Sequence, residues 1–185
     1  MTTVVNPGHY LYQAELIHDE QAVNQAISTM AQQLNQYYVC ESPIVLCVMG
    51  GGVFFTGQLL PKLQFPLEFD FVQVTRYHDS TEGKTLKWIV MPKESIKDRN
   101  VLILDDILDE GVTLKAIIEQ CKLLGAKETR SAVLVEKQLN KSKAIHANYV
   151  GLIVPNRYVF GCGMDVYGWW RNLPAIYALN NAWHD

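Results

Sequence analysis

Asp105, Asp106, Asp109, Gly111 and Thr113 stand close together behind the apolar run 101–104, and no other group of residues in this chain is so well placed to do chemistry. Two adjacent carboxylates can grip neighbouring hydroxyls of a sugar. A glycine turn that opens a helix presents free backbone N–H groups and the positive end of the helix dipole, which favour a phosphate. Thr113 adds a hydroxyl at the same point. Leu114, Ile117, Ile118, Cys121 and Leu124 then recur at helical spacing, and Gly125 ends the run. Carboxylates beside a phosphate cradle point to a site for a sugar phosphate.

The elements that position these groups follow from the pattern around them. Four consecutive apolar residues suit a strand buried on both faces, as in a parallel α/β sheet. The acids then fall at the carboxyl end of that strand, where open α/β sheets bind ligands. Other phosphate motifs fit badly: neither Gly-x-Gly-x-x-Gly nor Gly-x-x-x-x-Gly-Lys-Ser/Thr is present. An acidic pair ending a strand would also serve Mg²⁺ in a phosphotransfer domain, and a lone Asp here would only cap the helix. The order of three acids, glycine and threonine favours the sugar phosphate.

Composition narrows the setting. The chain has 185 residues, 49% of them hydrophobic, enough for one domain with a sizeable core. Sixteen basic against 19 acidic residues give a net charge of −3, without the basic excess of a nucleic-acid binder. No basic segment followed by a long apolar one opens the chain, so we expect no secretory signal. No apolar run approaches the ~20 residues of a membrane span. Cys40, Cys47, Cys121 and Cys162 are scattered without metal-binding spacing, which suits a reducing cytoplasm.

Along the chain, the pattern predicts a helix over 19–38, with Val23, Ala26, Ile27, Met30, Leu34 and Tyr38 on one face. It predicts strands at 44–49, 67–75, 86–91, 101–104 and 131–135, and helices at 53–60 and 113–124. Residues 76–86 are polar and turn-rich and read as a loop. Strands alternating with helices imply βαβ units and a parallel sheet. The aromatic tail 149–185, with Trp169, Trp170, Tyr177 and Trp183, reads as a cap packed with the N-terminal segment over the end of the sheet.

Residues 101–113 resemble the phosphoribosyl-pyrophosphate motif of type I phosphoribosyltransferases. The resemblance implies that Asp105 and Asp106 hold the ribose hydroxyls. It further implies that Glu110, Gly111, Val112 and Thr113 wrap the 5′-phosphate, and that Asp109 faces the incoming base as the catalytic residue. Residues 47–55, with three glycines at 50–52, resemble the pyrophosphate loop of hypoxanthine-guanine phosphoribosyltransferases. There Gly50 and Gly51 would meet the leaving pyrophosphate, and a cis peptide would fall between Met49 and Gly50. Relatives often carry Lys or Arg where this chain has Gly50.

Residues 150–165 and 170–174 resemble the purine-binding segment of the same enzymes. By that resemblance Tyr158 stacks on the base, backbone groups of Val159 read its edge, and Arg171 contacts pyrophosphate. Asp165 accepts from the region of the exocyclic amine and, with Asp105 and Asp106, stands near Mg²⁺ held mostly through substrate and water. Lys137 matches the lysine that donates to the purine 6-oxo group. Arg76 and Tyr77 occupy a lid in which relatives have a Ser-Tyr pair. Glu110 stands where many relatives have Thr, so its side chain is expected to turn away from the phosphate.

The fold implied is α/β: an open, mainly parallel sheet flanked by helices, with a small hood. The chain would form one domain over 1–185, its core about 37–140 and its hood from about 1–18 and 141–185. The activity implied is that of a glycosyltransferase of purine salvage. It would move the 5-phosphoribosyl group from phosphoribosyl pyrophosphate to N9 of hypoxanthine or guanine, giving IMP or GMP and pyrophosphate. Mg²⁺, a cytoplasmic setting and a homodimer or homotetramer go with it, without nucleic-acid or membrane partners. The same chemistry on xanthine or uracil is one alternative, and a nucleotide-sensing RNA-binding regulator of the same fold is another.

Overall fold

A computed structural model describes residues 6–77 and 85–180, with the side chains of Arg76, Tyr77 and Thr85 left aside. Two sheets carry the architecture. Strands β1 (Ala14–His18), β8 (Val159–Phe160) and β9 (Ile176–Leu179) form a three-stranded antiparallel sheet in the order β1-β9-β8. The larger sheet has six strands: β2 (Ile44–Met49), β3 (Glu68–Tyr77), β4 (Thr85–Val90), β5 (Asn100–Leu108), β6 (Glu128–Lys137) and β7 (Tyr149–Val154). Their order is β4-β3-β2-β5-β6-β7, parallel throughout except for the antiparallel hairpin of β3 and β4.

The central strands are apolar on both faces, and their residues alternate between two cores. Val45, Leu102, Leu104, Ala132 and Leu134 face helices α2 (Glu20–Tyr37) and α3 (Gly52–Leu59). Ile44, Leu46, Val101, Ile103 and Val133 face the other side, where α4 (Val112–Leu123) brings Leu114, Ile117, Ile118 and Cys121. Each fully buried Leu, Ile or Val of this kind contributes ~1.5–3 kcal/mol. Helix α2 presents Val23, Ile27, Met30, Ala31 and Leu34 to the first core, and the Asp19 carboxylate caps it by accepting from Ala22 N–H at 2.8 Å.

Two sequence expectations are revised. Strand β5 does not stop at Leu104 but runs through both acids to Leu108. Its pairing with β2 ends at Cys47 opposite Leu104, whereas its pairing with β6 continues through Asp105 opposite Val133 to Leu108 opposite Glu136. Ladder hydrogen bonds to one neighbour therefore keep the charged residues extended. The tail is also not wholly a cap: β7 joins the main sheet beside β6, and the hood sheet takes up only β8, β9 and the N-terminal β1. Trp183 and residues 78–84 of the expected loop lie outside the described residues.

The chain order sends β2 through α3 to β3 on one side, and β5 through α4 to β6 on the other. The direction of winding reverses between β2 and β5, the crevice where doubly wound sheets bind ligands. Here β5 parts from β2, so the crevice is open at its carboxyl end. The hood closes over it at one close approach. Gly163, at φ +102°, packs so tightly on Gly51 that a Cβ would overlap the Gly51 carbonyl oxygen. Gly168 has φ +89° but open space around its Cα. Gly168→Ala should therefore lose only the ~1–2 kcal/mol of a left-handed conformation. Gly163→Ala should lose distinctly more, which thermal denaturation of the two variants side by side will measure.

Candidate active site

Strand β5 delivers Asp105 and Asp106 to the crevice almost wholly buried, at 8% and 9% exposure. Their backbone is knitted locally: Asp106 N–H donates to Asp105 Oδ1 at 3.0 Å, and Ile107 N–H to Asp106 Oδ1 at 2.8 Å. Burial pushes the Asp106 carboxyl above the usual carboxylate range, although a hydrogen bond with Asp105, the Ile107 N–H and the Arg171 charge pull it back. The β2–α3 loop comes close enough to this carboxylate to require glycine, because a Cβ on Gly51 would fall inside it. The peptide bond between Met49 and Gly50 is cis, as the resemblance implied. Gly50 itself is exposed, and a Cβ there would meet nothing within 4 Å.

After β5 the chain turns through Asp109 and Glu110 to Gly111, which caps α4 with φ +81°. No acidic residue lies in the first turn of α4, so no side chain of that turn offsets the positive end of its dipole. A cavity of about 270 Å³ results, lined by Met49 and Gly51 on one side and Asp105, Asp106, Asp109, Gly111 and Thr113 on the other. Glu110 turns out of it, and its Oε1 meets Lys141 Nζ at 2.6 Å. Val112 is 37% exposed and does not line the cavity.

A second cavity, of about 230 Å³, opens against the first and shares Asp106, Ile107 and Asp109 with it. Lys137, Tyr158, Val159, Met164 and Asp165 complete its lining. Lys137 ends β6, and its Nζ meets Asp109 Oδ2 at 3.0 Å. Tyr158 precedes β8 and stacks on Tyr167, with ring centres 5.8 Å apart and planes 16° from parallel. Tyr10 of the N-terminal helix (Gly8–Tyr12) lies 5.2 Å from Tyr167, its plane tilted by 31°, so three rings cluster beside the cavity. Asp165 accepts from Gly168 N–H at 2.7 Å and pairs with Arg171, whose Nη1 also donates to Gly163 O at 2.6 Å.

Most of the residues singled out in the sequence thus meet at one crevice. Arg76 and Tyr77 end β3, opposite Leu86 and Thr85, and their side chains lie outside the described part. The sequence reading overlooked Tyr10, Tyr167, Lys141 and Lys143. The two tyrosines sit near opposite ends of the chain and become neighbours only through the hood. The two lysines fall in an irregular segment, where nothing local separates a structural ammonium from a solvated one.

The raised Asp106 value has a consequence for stability. A carboxyl whose folded value lies above its unfolded one, near ~3.9, contributes stability below that value and loses it as pH rises through the folded one. In ligand-free protein Asp106→Asn should therefore be more stable than the native chain at neutral pH. The difference should close as pH falls below the ordinary carboxylate range, which denaturant titrations across pH will measure.

Comparison with known proteins gives these cavities a context. The model of the phosphoribosyl transferase domain matches residues 13–166. The chain is 33% identical over 163 residues to the bifunctional protein TilS/HprT of Listeria innocua, covering 88% of this chain but 25% of that longer protein. It is 32% identical to the hypoxanthine-guanine phosphoribosyltransferase of Streptococcus pneumoniae, covering 88% of this chain and 89% of that one. A crystal structure of a hypoxanthine phosphoribosyltransferase from Staphylococcus aureus matches with a TM-score of 0.85 at 28% identity, over 96% of both chains. With its sheet order, its acidic strand end and its glycine-capped helix, this chain belongs to the phosphoribosyltransferase family, among relatives of the hypoxanthine-guanine type.

Proposed function

We propose that the chain transfers the 5-phosphoribosyl group of phosphoribosyl pyrophosphate to N9 of a 6-oxopurine, hypoxanthine or guanine, giving IMP or GMP in purine salvage. The observation that carries this reading is the ion pair of Lys137 and Asp109 at 3.0 Å in the second cavity. A 6-oxopurine offers a carbonyl acceptor at C6 next to an N–H donor at N7. That edge is complementary to an ammonium beside a carboxylate. Adenine would turn an amine toward the ammonium, leaving a buried donor unmatched.

In this reading the ribose 5-phosphate occupies the first cavity. Asp105 and Asp106 accept from the ribose hydroxyls, and the N–H groups of 110–113 with the Thr113 hydroxyl hold the phosphate. The Gly50–Gly51 backbone and Arg171 face the leaving pyrophosphate. The base opens the Lys137–Asp109 pair and slides against Tyr158, whose ring is held flat by Tyr167. Lys137 then donates to the 6-oxo oxygen, the Val159 backbone and Asp165 meet the far edge, and Asp109 takes the N7 proton as N9 attacks C1. Arg76 and Tyr77 would shield the reacting centre from water.

Asp105, Asp106 and Asp165 offer hard oxygen donors suited to Mg²⁺. Among the described residues, no three such ligands gather into a site of their own. They fit an ion that arrives with the pyrophosphate and completes its shell from substrate and water. When bound, Mg²⁺ would neutralise charge on the leaving group. A cytoplasmic setting accords with four unpaired cysteines. No described helix is long and apolar enough to cross a membrane. Phe69, Phe71, Ile89 and Met91, exposed on the edge hairpin, suit a second copy in a homodimer or homotetramer.

The direct test is pyrophosphate release from phosphoribosyl pyrophosphate and Mg²⁺ with each nucleobase in turn. Release with hypoxanthine or guanine and none with adenine or uracil is expected; no release with any base would sink the reading. Asp109→Asn should lower kcat by ~10²–10⁴-fold. Lys137→Ala should lower kcat/KM for the 6-oxopurine by ~10- to 100-fold while leaving KM for phosphoribosyl pyrophosphate nearly unchanged.

A further inference from the structure

The ammonium of Lys143 is buried behind the two cavities and touches neither. Its side chain is 7% exposed, and its Nζ lies 2.6 Å from Asp109 O, 2.6 Å from Lys137 O and 3.1 Å from Leu108 O. An ammonium has three N–H donors, and three backbone carbonyls match them. The carboxylate of Glu136 stands 3.9 Å away as the nearest counter-charge. We propose that Lys143 is a positioning residue for the base site, a clamp whose buried ammonium holds the backbones of Asp109 and Lys137 so that their side chains present the spacing a 6-oxopurine edge requires.

The clamp sits where the sheet stops doing this work. The register of β5 with β6 ends at Leu108 opposite Glu136. One residue further stand the two site residues, Asp109 just past β5 and Lys137 at the end of β6, and the pairing of the two strands is over. From there β5 turns into the phosphate loop and β6 into residues 138–148. Charge-assisted hydrogen bonds to carbonyls of both chains replace the missing rung and are stronger than the neutral bonds of a ladder. The neighbouring residues brace the same loop from behind. Ala144 N–H donates to Glu110 O at 2.9 Å, Ile145 packs within 3.2 Å of the place where a Gly111 Cβ would lie, and Lys141 holds the Glu110 carboxylate. Removing the Lys143 ammonium leaves those braces and the α4 N-terminus in place, so the phosphate cradle stays while the Asp109–Lys137 spacing relaxes.

The proposal rests on the purine reading above, and its test separates the two. Lys143→Met keeps the stem and removes the charge. It should lose on the order of 10- to 100-fold in kcat/KM for hypoxanthine or guanine, as expected of a small misplacement of reacting groups. Its KM for phosphoribosyl pyrophosphate should change little. Equal losses for both substrates, or a lowered melting temperature with native kinetics at 25 °C, would overturn the clamp. If Lys143→Met does not fold, Lys143→Arg decides: it keeps the charge but cannot converge three donors on one point, and the same base-selective loss is expected. Failure of the purine reading would appear instead in the native chain, as absence of turnover with any base. The clamp is then read in free protein from the carbonyl ¹³C resonances of Leu108, Asp109 and Lys137. These should shift together in the variant that folds, and unmoved resonances would overturn the proposal.

Discussion

Moving a carboxylate out of water is among the most expensive steps a folding chain can take, and β5 buries two in succession at the centre of its main sheet. Much of the surrounding architecture answers to that demand. Backbone N–H groups of the next residues turn toward the carboxylates. Arg171 reaches in from the hood and lowers the Asp106 carboxyl that burial raises. The β2–α3 loop gives up side chains where it passes Asp106. Parallel pairing with β2 as far as Leu104 and with β6 through Leu108 anchors the strand that carries them, so the acids are held rigidly.

The winding reversal between β2 and β5 turns that rigidity into a site. Strands leave in opposite directions from this crevice, and among the described residues no strand fills the gap beyond Leu104. Two cavities share Asp106, Ile107 and Asp109 as their common wall. A group bound in one and a group bound in the other must therefore approach across that wall. Such proximity converts an encounter in solution into a reaction within one complex.

The parts legible in the sequence are those with local periodicity. The apolar run ahead of Asp105, the 3.6-residue spacing of α2 and α4, and the glycines before α3 each carry their structure within a dozen residues. What was not legible depends on partners distant in the chain. Asp105 and Asp106 look like the end of a strand, and only pairing with β6 extends β5 beyond them. Tyr149–Val154 joins the main sheet because β6 offers an open edge, which no feature of that segment announces. Lys143 looks like any loop lysine until three carbonyls surround it. Tyr10 reaches Tyr167 only because β1 pairs with β9 in the hood.

The contact of Gly163 with Gly51 bears on how this scaffold can be re-engineered. The hood carries Tyr158, Val159 and Asp165, which line the second cavity, and Tyr158 and Tyr167 are about half exposed, so their rings can be exchanged for others at small structural risk. The hood is nevertheless not a module that can be grafted at will. Two glycines with no room between their backbones set its height above the loop to within an atom's width. A library that diversifies acceptor choice would vary the rings and leave this hinge point untouched, since any side chain there lifts the whole roof.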